Sequence, residues 1–404
     1  MKAVVPLQSL VDKTAEEIMK ILEEKSIIVD GGELVLIGKA GGDGQGMQVR
    51  YNQKGDQRGT NFYTQAYVPL FLMNGDVILW ENKTPNSKET CRPIRQEWTK
   101  ETETYIQNSS TELQDEIKGL RRTIIGQTSI RHEIVPAMWD GKSLLAICKK
   151  IYTEEDIFEG RKSKTIATTT CHLCLNSMSD FGKTFQHNIL HPEILVFGIA
   201  LLHILIRCFE DLFKAATKKI SKTSGIPVKE VKENLQQEFW EELGLRVFYP
   251  EVGGGTSNTG NTSRVVFKKA AESARILQVS EELITGTQNL IGKISSQESI
   301  PNSDDFERDA FKVWELYNQE LGSFKSMCPT YHRLVSHGAA YLKFCERIGM
   351  PPGYLSESSI ESLNSLNRSV RLNHTRKAGP ALQNIDSFNY MLCNSSPYIN
   401  YVHK

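Results

Sequence analysis

The stretch "GGELVLIGKAGGDGQG", from Gly31 to Gly46, limits the fold of this chain more than any other. It is a short apolar run that ends in glycines around Asp43, the pattern of a strand whose C-terminal end exposes an acid. Strand-like runs follow at "MQVRYNQ", "YTQAYVPLFLM" and "DVILWEN". Three or four strands in succession predict an antiparallel meander. From Ile94 to about Lys118 the pattern is polar and helical. A second apolar run, "HEIVPAMWDGKSLLAI", then meets an acid, Asp140, and continues as a helix.

Strand with acid, meander, helix, strand with acid is the start of a ribonuclease-H-like α/β layout. Before it, "LQSLVDKTAEEIMKILEE" has the apolar spacing of a helix. After it, about 220 residues of mostly helical pattern separate Asp140 from the next acid of interest, Glu361. The expected fold class is therefore an α/β, ribonuclease-H-like core interrupted by a large, mostly helical insertion stapled by zinc. The expected boundaries are a helical lead-in over 1–30, the first part of the core with both aspartates over 31–160, the insertion over 161–345, and a C-terminal helix with a basic tail over 346–404.

Composition narrows the partners. The formal net charge is zero and the pI about 7.1, so any nucleic-acid surface must be local. Eight cysteines in 404 residues do not make a disulfide scaffold, which predicts a reducing, intracellular setting. The most apolar stretch, "EILVFGIALLHILI", is short for a membrane span and contains His203; it reads as a buried helix. No membrane association is expected.

Five constellations carry chemistry. Asp43, Asp140 and Glu361 offer hard oxygen ligands of the kind magnesium takes, although strand-end acids also serve as loop caps and spacing alone leaves both readings open. Cys171 and Cys174 in "CHLC", with His332 and His337 in "YHRLVSH", offer the two sulfurs and two nitrogens of a structural zinc. His172 and His187 compete as ligands, and a redox pair or plain structural cysteines are the other readings. His203, beside Arg207 and Glu210, is either a satisfied core histidine or a group facing a site. "GGGTSNTGNTSR" is a phosphate-contacting loop or a bland surface loop, and lacks the lysine-serine arrangement of a P-loop. Finally, "SSIESLNSLNRSVRLNHTRK" places Glu361 before Arg368, Arg371, His374, Arg376 and Lys377. That order complements a helix dipole, and it equally fits a metal-holding acid followed by phosphate-holding bases.

These segments, in this order, resemble a Transib-type DNA transposase, the group related to the catalytic recombinase of V(D)J recombination. "GGDGQG" and "MWDGKSLLAI" are similar to the segments bearing the family's two catalytic aspartates; "CHLC" and "CPTYHRLVSHG" to its zinc-binding segments; "LHILIRCFEDL" and "PEVGGGTSNTGNTSR" to its central helix and loop; "LSESSIESLNS" to the stretch with its catalytic glutamate; the tail "RLNHTRK…NSSPYI" also fits. The resemblance implies a DDE-type cut-and-paste transposase core with Asp43, Asp140 and Glu361 catalytic and holding two Mg2+ (or Mn2+) ions. It implies one structural Zn2+ on Cys171, Cys174, His332 and His337, and DNA phosphates on Arg368, Arg371, Arg376 and Lys377. His203 and Arg207 are candidates for active-site support. The implied partners are terminal inverted repeats, target DNA and a second copy of the chain, in the nucleus. Terminal-repeat recognition is expected from a further N-terminal region. The chain departs from the pattern in the longer connection "KKIYTEEDIFEGRKSKTIATTT", and in Leu363 and Ser365 where an arginine and a lysine are usual. The other functions to weigh are a DNA-binding derivative without catalysis and a nuclease of the same fold.

Overall fold

The computed structural model describes residues 2–29, 33–46, 61–152, 156, 170–249, 257–376 and 378–403. The expected strand "MQVRYNQ", most of the long connection after Tyr152, the start of the Gly/Asn/Thr segment and Lys377 lie outside them. The protein is mixed α/β and divides into two compact units. The first comprises Met1–Ile147, Val196–Gly198 and Tyr354–Lys404, and the second Cys148–Leu195 and Ile199–Gly353. The breaks thus fall at 147/148 and 353/354, where the sequence reading set 160/161 and 345/346.

The first unit is built on a mixed sheet. In chain order it contains β1 (Lys2–Val4), α1 (Leu7–Glu24), β2 (Glu33–Gln45), β3 (Phe62–Asn74), β4 (Val77–Glu81), β5 (Arg92–Glu97), α2 (Glu103–Lys118), β6 (Thr123–Ile125), β7 (Thr128–Trp139) and most of α3 (Gly141–Ile151). The sheet order is β1-β5-β3-β2-β7-β6, with β4 also paired to β3. All neighbours are antiparallel except β2 and β7, which run parallel. The lead-in helix belongs to this unit: Ala15, Ile18 and Leu22 of α1 pack against Leu34, Leu36, Leu72 and Ile130 of the sheet. Pro69 has no N–H for a ladder, and it lies opposite Gly38, where the β2–β3 register shifts.

The second unit, helical among the described residues, holds α4 (Leu201–Ser224), α5 (Val228–Leu243), α6 (Gly260–Lys268), α7 (Ala270–Leu277), α8 (Glu281–Ile294), α9 (Ser303–Tyr317), α10 (Pro329–His332) and α11 (Gly338–Arg347). Its core includes a cluster of Phe209, Phe213, Phe239 and Phe248, the second and fourth stacked at 4.4 Å. No helix is long and apolar enough to cross a membrane, among the described residues.

Two expectations are corrected. The segment from Ile94 does not begin a helix; Arg92–Glu97 is the buried strand β5. Its polar character hid it, because its arginines are buried in pairs: Arg92 with Glu17 at 2.8 Å and Arg95 with Glu112 at 2.7 Å. "EILVFGIALLHILI" is not one helix. A short 3-10 turn, Pro192–Phe197, is broken from α4 by positive φ at Gly198 (80°) and Ala200 (57°).

The chain returns to the first unit with α12 (Ser358–Asn373), α13 (Pro380–Asn394) and α14 (Pro397–Val402). Here the sequence reading of Arg371 is overturned. Its side chain is 3% exposed and its guanidinium lies 4.1 Å from the Trp98 ring centroid and 5.3 Å from that of Phe62. The Arg371 carbonyl also accepts from Gln383 Nε2 at 3.0 Å, tying α12 to α13. Arg371 is an anchor of α12 on the sheet and is not available to phosphates. Arg371→Ala is expected to lower stability by about 2–4 kcal/mol through lost cation–π contact and packing. Urea denaturation reads this, and an unchanged midpoint would contradict the anchoring role.

Candidate metal centres

The acid centre follows from strand register. The parallel β2–β7 ladder pairs Gly41 with Met138 and Gly42 with Trp139, so the next residues, Asp43 and Asp140, stand side by side at the same end. Gly41 permits this approach, since a Cβ there would sit 2.0 Å from the Met138 carbonyl oxygen. Asp140 also accepts from the Ser143 amide at 2.7 Å and so starts α3. The loop-cap role and a ligand role thus fall on one residue.

A third carboxylate was missed by the sequence reading. Glu101, between β5 and α2, offers an oxygen within 4.8 Å of those of Asp43 and Asp140. Its side chain fills the space beside Gly44, where a Cβ would stand 2.7 Å from the Glu101 carboxyl carbon. Lys142 Nζ donates to Glu101 Oε2 at 2.7 Å, and Ser143 Oγ to Oε1 at 3.1 Å. The sequence signal was weak: one acid among several in "EWTKETE".

Glu361 lies in the first turn of α12, half-buried and outside that three-acid group. It still acts on Asp43. Burial pushes the Asp43 carboxyl well above its ordinary range, and the charges of Glu361, Asp140 and Glu101 push it further, in that order. Asn364, one turn along α12, opposes this by donating Nδ2 to Asp43 Oδ2 at 2.7 Å. Glu101 is likewise raised, first by burial and then by Asp140. Crowded carboxylates that resist ionising together could hold a hard divalent cation, which would relieve their repulsion.

The second centre brings together the four residues expected for zinc. Ligand atoms of Cys171, Cys174, His332 and His337, all buried, lie within 4.8 Å of one another and could hold a zinc ion. The cysteines sit on a tight knuckle. Leu175 N donates to the Cys171 carbonyl and Cys171 N to that of Asn176, both at 2.9 Å, with Leu175 at φ 56°. Five residues along an α-helix would turn His337 about 140° away from His332. A π turn over Arg333–His337 reduces that angle, and the rings come to 5.0 Å. Ser336 Oγ lies 3.1 Å from His332 Nδ1, which leaves Nε2 facing Cys174 Sγ at 3.4 Å. Phe181 stacks on the same ring at 3.9 Å.

Burial pushes His332 down to about 4, so it is neutral. Burial opposes a Cys171 thiolate, yet the hydrogen bond from Cys174 and the charge of His337 hold Cys171 well below the ordinary thiol value. Cys174 is pushed up, first by that same hydrogen bond and then by burial. The competitors stay outside the group: His187 Nδ1 meets Asn176 Nδ2 at 2.9 Å, and burial drives the enclosed His172 down to about 3.

His203 and Arg207 lie on α4 in the second unit, while the carboxylates belong to the first. Arg207 Nη1 donates to Glu210 Oε2 at 2.5 Å, and Asn258 Nδ2 donates to Glu210 Oε1 at 3.2 Å. The described end of the Gly/Asn/Thr segment is thereby tied down and opens α6, capped by Thr259. Arg368 is exposed; Arg376 is engaged with Asp386 through Nε and Nη2. No protein-family model and no curated protein matches the chain.

A carboxyl held above its ordinary range weakens the fold as pH rises from about 4 through the raised value, because the unfolded chain releases that proton first. Asp43→Asn is therefore expected to stabilise the metal-free protein at pH 8, by about 1.4 kcal/mol for each unit of the lost shift. It should also shrink the gain from added Mn2+, and thermal melts with and without the ion read both effects. For the second centre, purified protein should hold about one zinc. Chelation or Cys171→Ser should lower stability, since saturation a hundredfold above Kd contributes about 2.7 kcal/mol. Metal analysis finding no zinc in folded protein would overturn this.

Proposed function

We propose that this chain is the catalytic core of a cut-and-paste DNA transposase, cleaving and joining strands with divalent cations. The observation that carries the reading is the parallel register of β2 and β7, which leaves Asp43 and Asp140 side by side with Glu101 within reach. The strand order β5-β3-β2-β7, with β2 and β7 parallel, fits the expected ribonuclease-H-like layout. Resemblance to Transib-type transposases over the length of the chain adds the reaction class and Glu361.

In this reading Asp43, Asp140, Glu101 and Glu361 would hold divalent cations, which when bound would supply Lewis-acid stabilisation of the attacking and leaving oxygens of a phosphoryl displacement. The chain's own polar groups keep the ligands aimed. Asn364 holds one oxygen of Asp43, while Lys142 and Ser143 hold both oxygens of Glu101. The steps are a nick at the element end, attack of the freed 3′-hydroxyl on the opposite strand to leave a hairpin on flanking DNA, and joining of the element end to target DNA. The zinc centre braces the second unit. A nuclear homodimer on paired element ends completes the proposal, with phosphate contacts now resting on Arg368, Arg376 and Lys377 and no longer on Arg371.

Incubation with Mg2+ and labelled element ends tests it. Hairpins and joined products are expected, and Asp43→Asn, Asp140→Asn or Glu361→Gln should each reduce them about 10²–10³-fold or more while DNA stays bound. Nicks alone would indicate a nuclease, and bound, intact DNA a non-catalytic derivative.

A further inference from the structure

Lys39 has no part in the chemistry described so far, yet it is completely enclosed, at 0% exposure. Lysine is almost never fully buried unless it is paired. Its Nζ donates to the Ser356 carbonyl at 2.7 Å and to Asn86 Oδ1 at 2.8 Å. Glu357, 1% exposed, supplies an opposing charge. Burial nevertheless pushes Lys39 down to about 7. A methionine could fill such a space without burying an ammonium, so filling space does not account for a lysine.

What the ammonium joins is specific. Lys39 stands on β2 four residues before Asp43, and Ser356 stands two residues before α12. Farther along, β2 meets α12 again, through Asn364 Nδ2 on Asp43 Oδ2 at 2.7 Å and Gln45 Nε2 on the Asn364 carbonyl at 2.8 Å. Glu361 lies between these two attachments. A helix held at one point can still swivel and slide against a strand; held at two, it presents the side chain between them in one place. Both attachments lie in the first unit.

We propose that Lys39 is a positioning residue: by binding the Ser356 carbonyl and Asn86, it sets where Glu361 stands relative to Asp43. This rests on the reading of the acids as a divalent-cation site. Lys39 does not itself touch the cation, so its influence must pass through Glu361. A double-mutant cycle separates that from general destabilisation.

The experiment is Mn2+ titration by calorimetry on the full chain. The proteins are wild type, Lys39→Met, Glu361→Gln and the double variant, with folding checked by circular dichroism. Lys39→Met is expected to weaken Mn2+ binding about 10–100-fold, the range for groups that orient ligands. The double variant should bind no more weakly than Glu361→Gln alone. Additive losses, or unchanged affinity in Lys39→Met, would overturn the proposal while leaving the acid site standing. Absence of Mn2+ binding in the wild type would remove the site and this inference together. Asn86→Ala deletes one of the two acceptors and carries the same cycle, with the same deciding outcomes, if Lys39→Met does not fold.

Discussion

The parallel ladder between β2 and β7 is the contact on which the acid centre depends. In parallel pairing both strands run the same way, so two strands that each carry an aspartate near the same end deliver both carboxylates to one edge. The ladder closes this tightly because Gly41 has no side chain to hold the Met138 backbone away. Every other part of the site refers back to this edge. Glu101 reaches it over Gly44, and α12 is tied to β2. The penalty is electrostatic: like charges meet in a place water hardly reaches, and Asp43 resists ionising.

Those parts of the molecule that obey a local period were legible in the sequence. The helix Leu7–Glu24 coincides with the stretch read from its apolar spacing, and the runs that end on Asp43 and Asp140 are strands. The cysteine pair and the histidine pair stood out by spacing, although nothing in "YHRLVSH" announced the π turn that aims its rings. What was not legible depends on partners far away in the chain. β5 looked polar because its buried arginines are neutralised by Glu17 and Glu112. Glu101 is one acid among several until Gly44, on the distant strand β2, makes room for it.

Arg371 shows the same limit from the other side. In sequence it is one of a row of bases following an acid, indistinguishable from Arg368. In the fold, three residues of helix rotate it from solvent to a place against Trp98 and Phe62. Charge counts along a helix therefore overstate the cationic surface of α12, and Arg376 is further offset by Asp386.

The first unit is discontinuous: its sheet is complete by Trp139, but α12 arrives only after the whole second unit has been made. At about 5–20 residues per second, the ribosome delivers Glu361 roughly 10–40 s after the end of α3 begins to emerge. During that interval Asp43 and Asp140 can already be neighbours while Asn364 and Lys39's acceptor Ser356 do not yet exist. The nascent protein thus passes through a stage with an incomplete, self-repelling carboxylate edge. The order of synthesis alone postpones assembly of the acid centre until the whole second unit has been made.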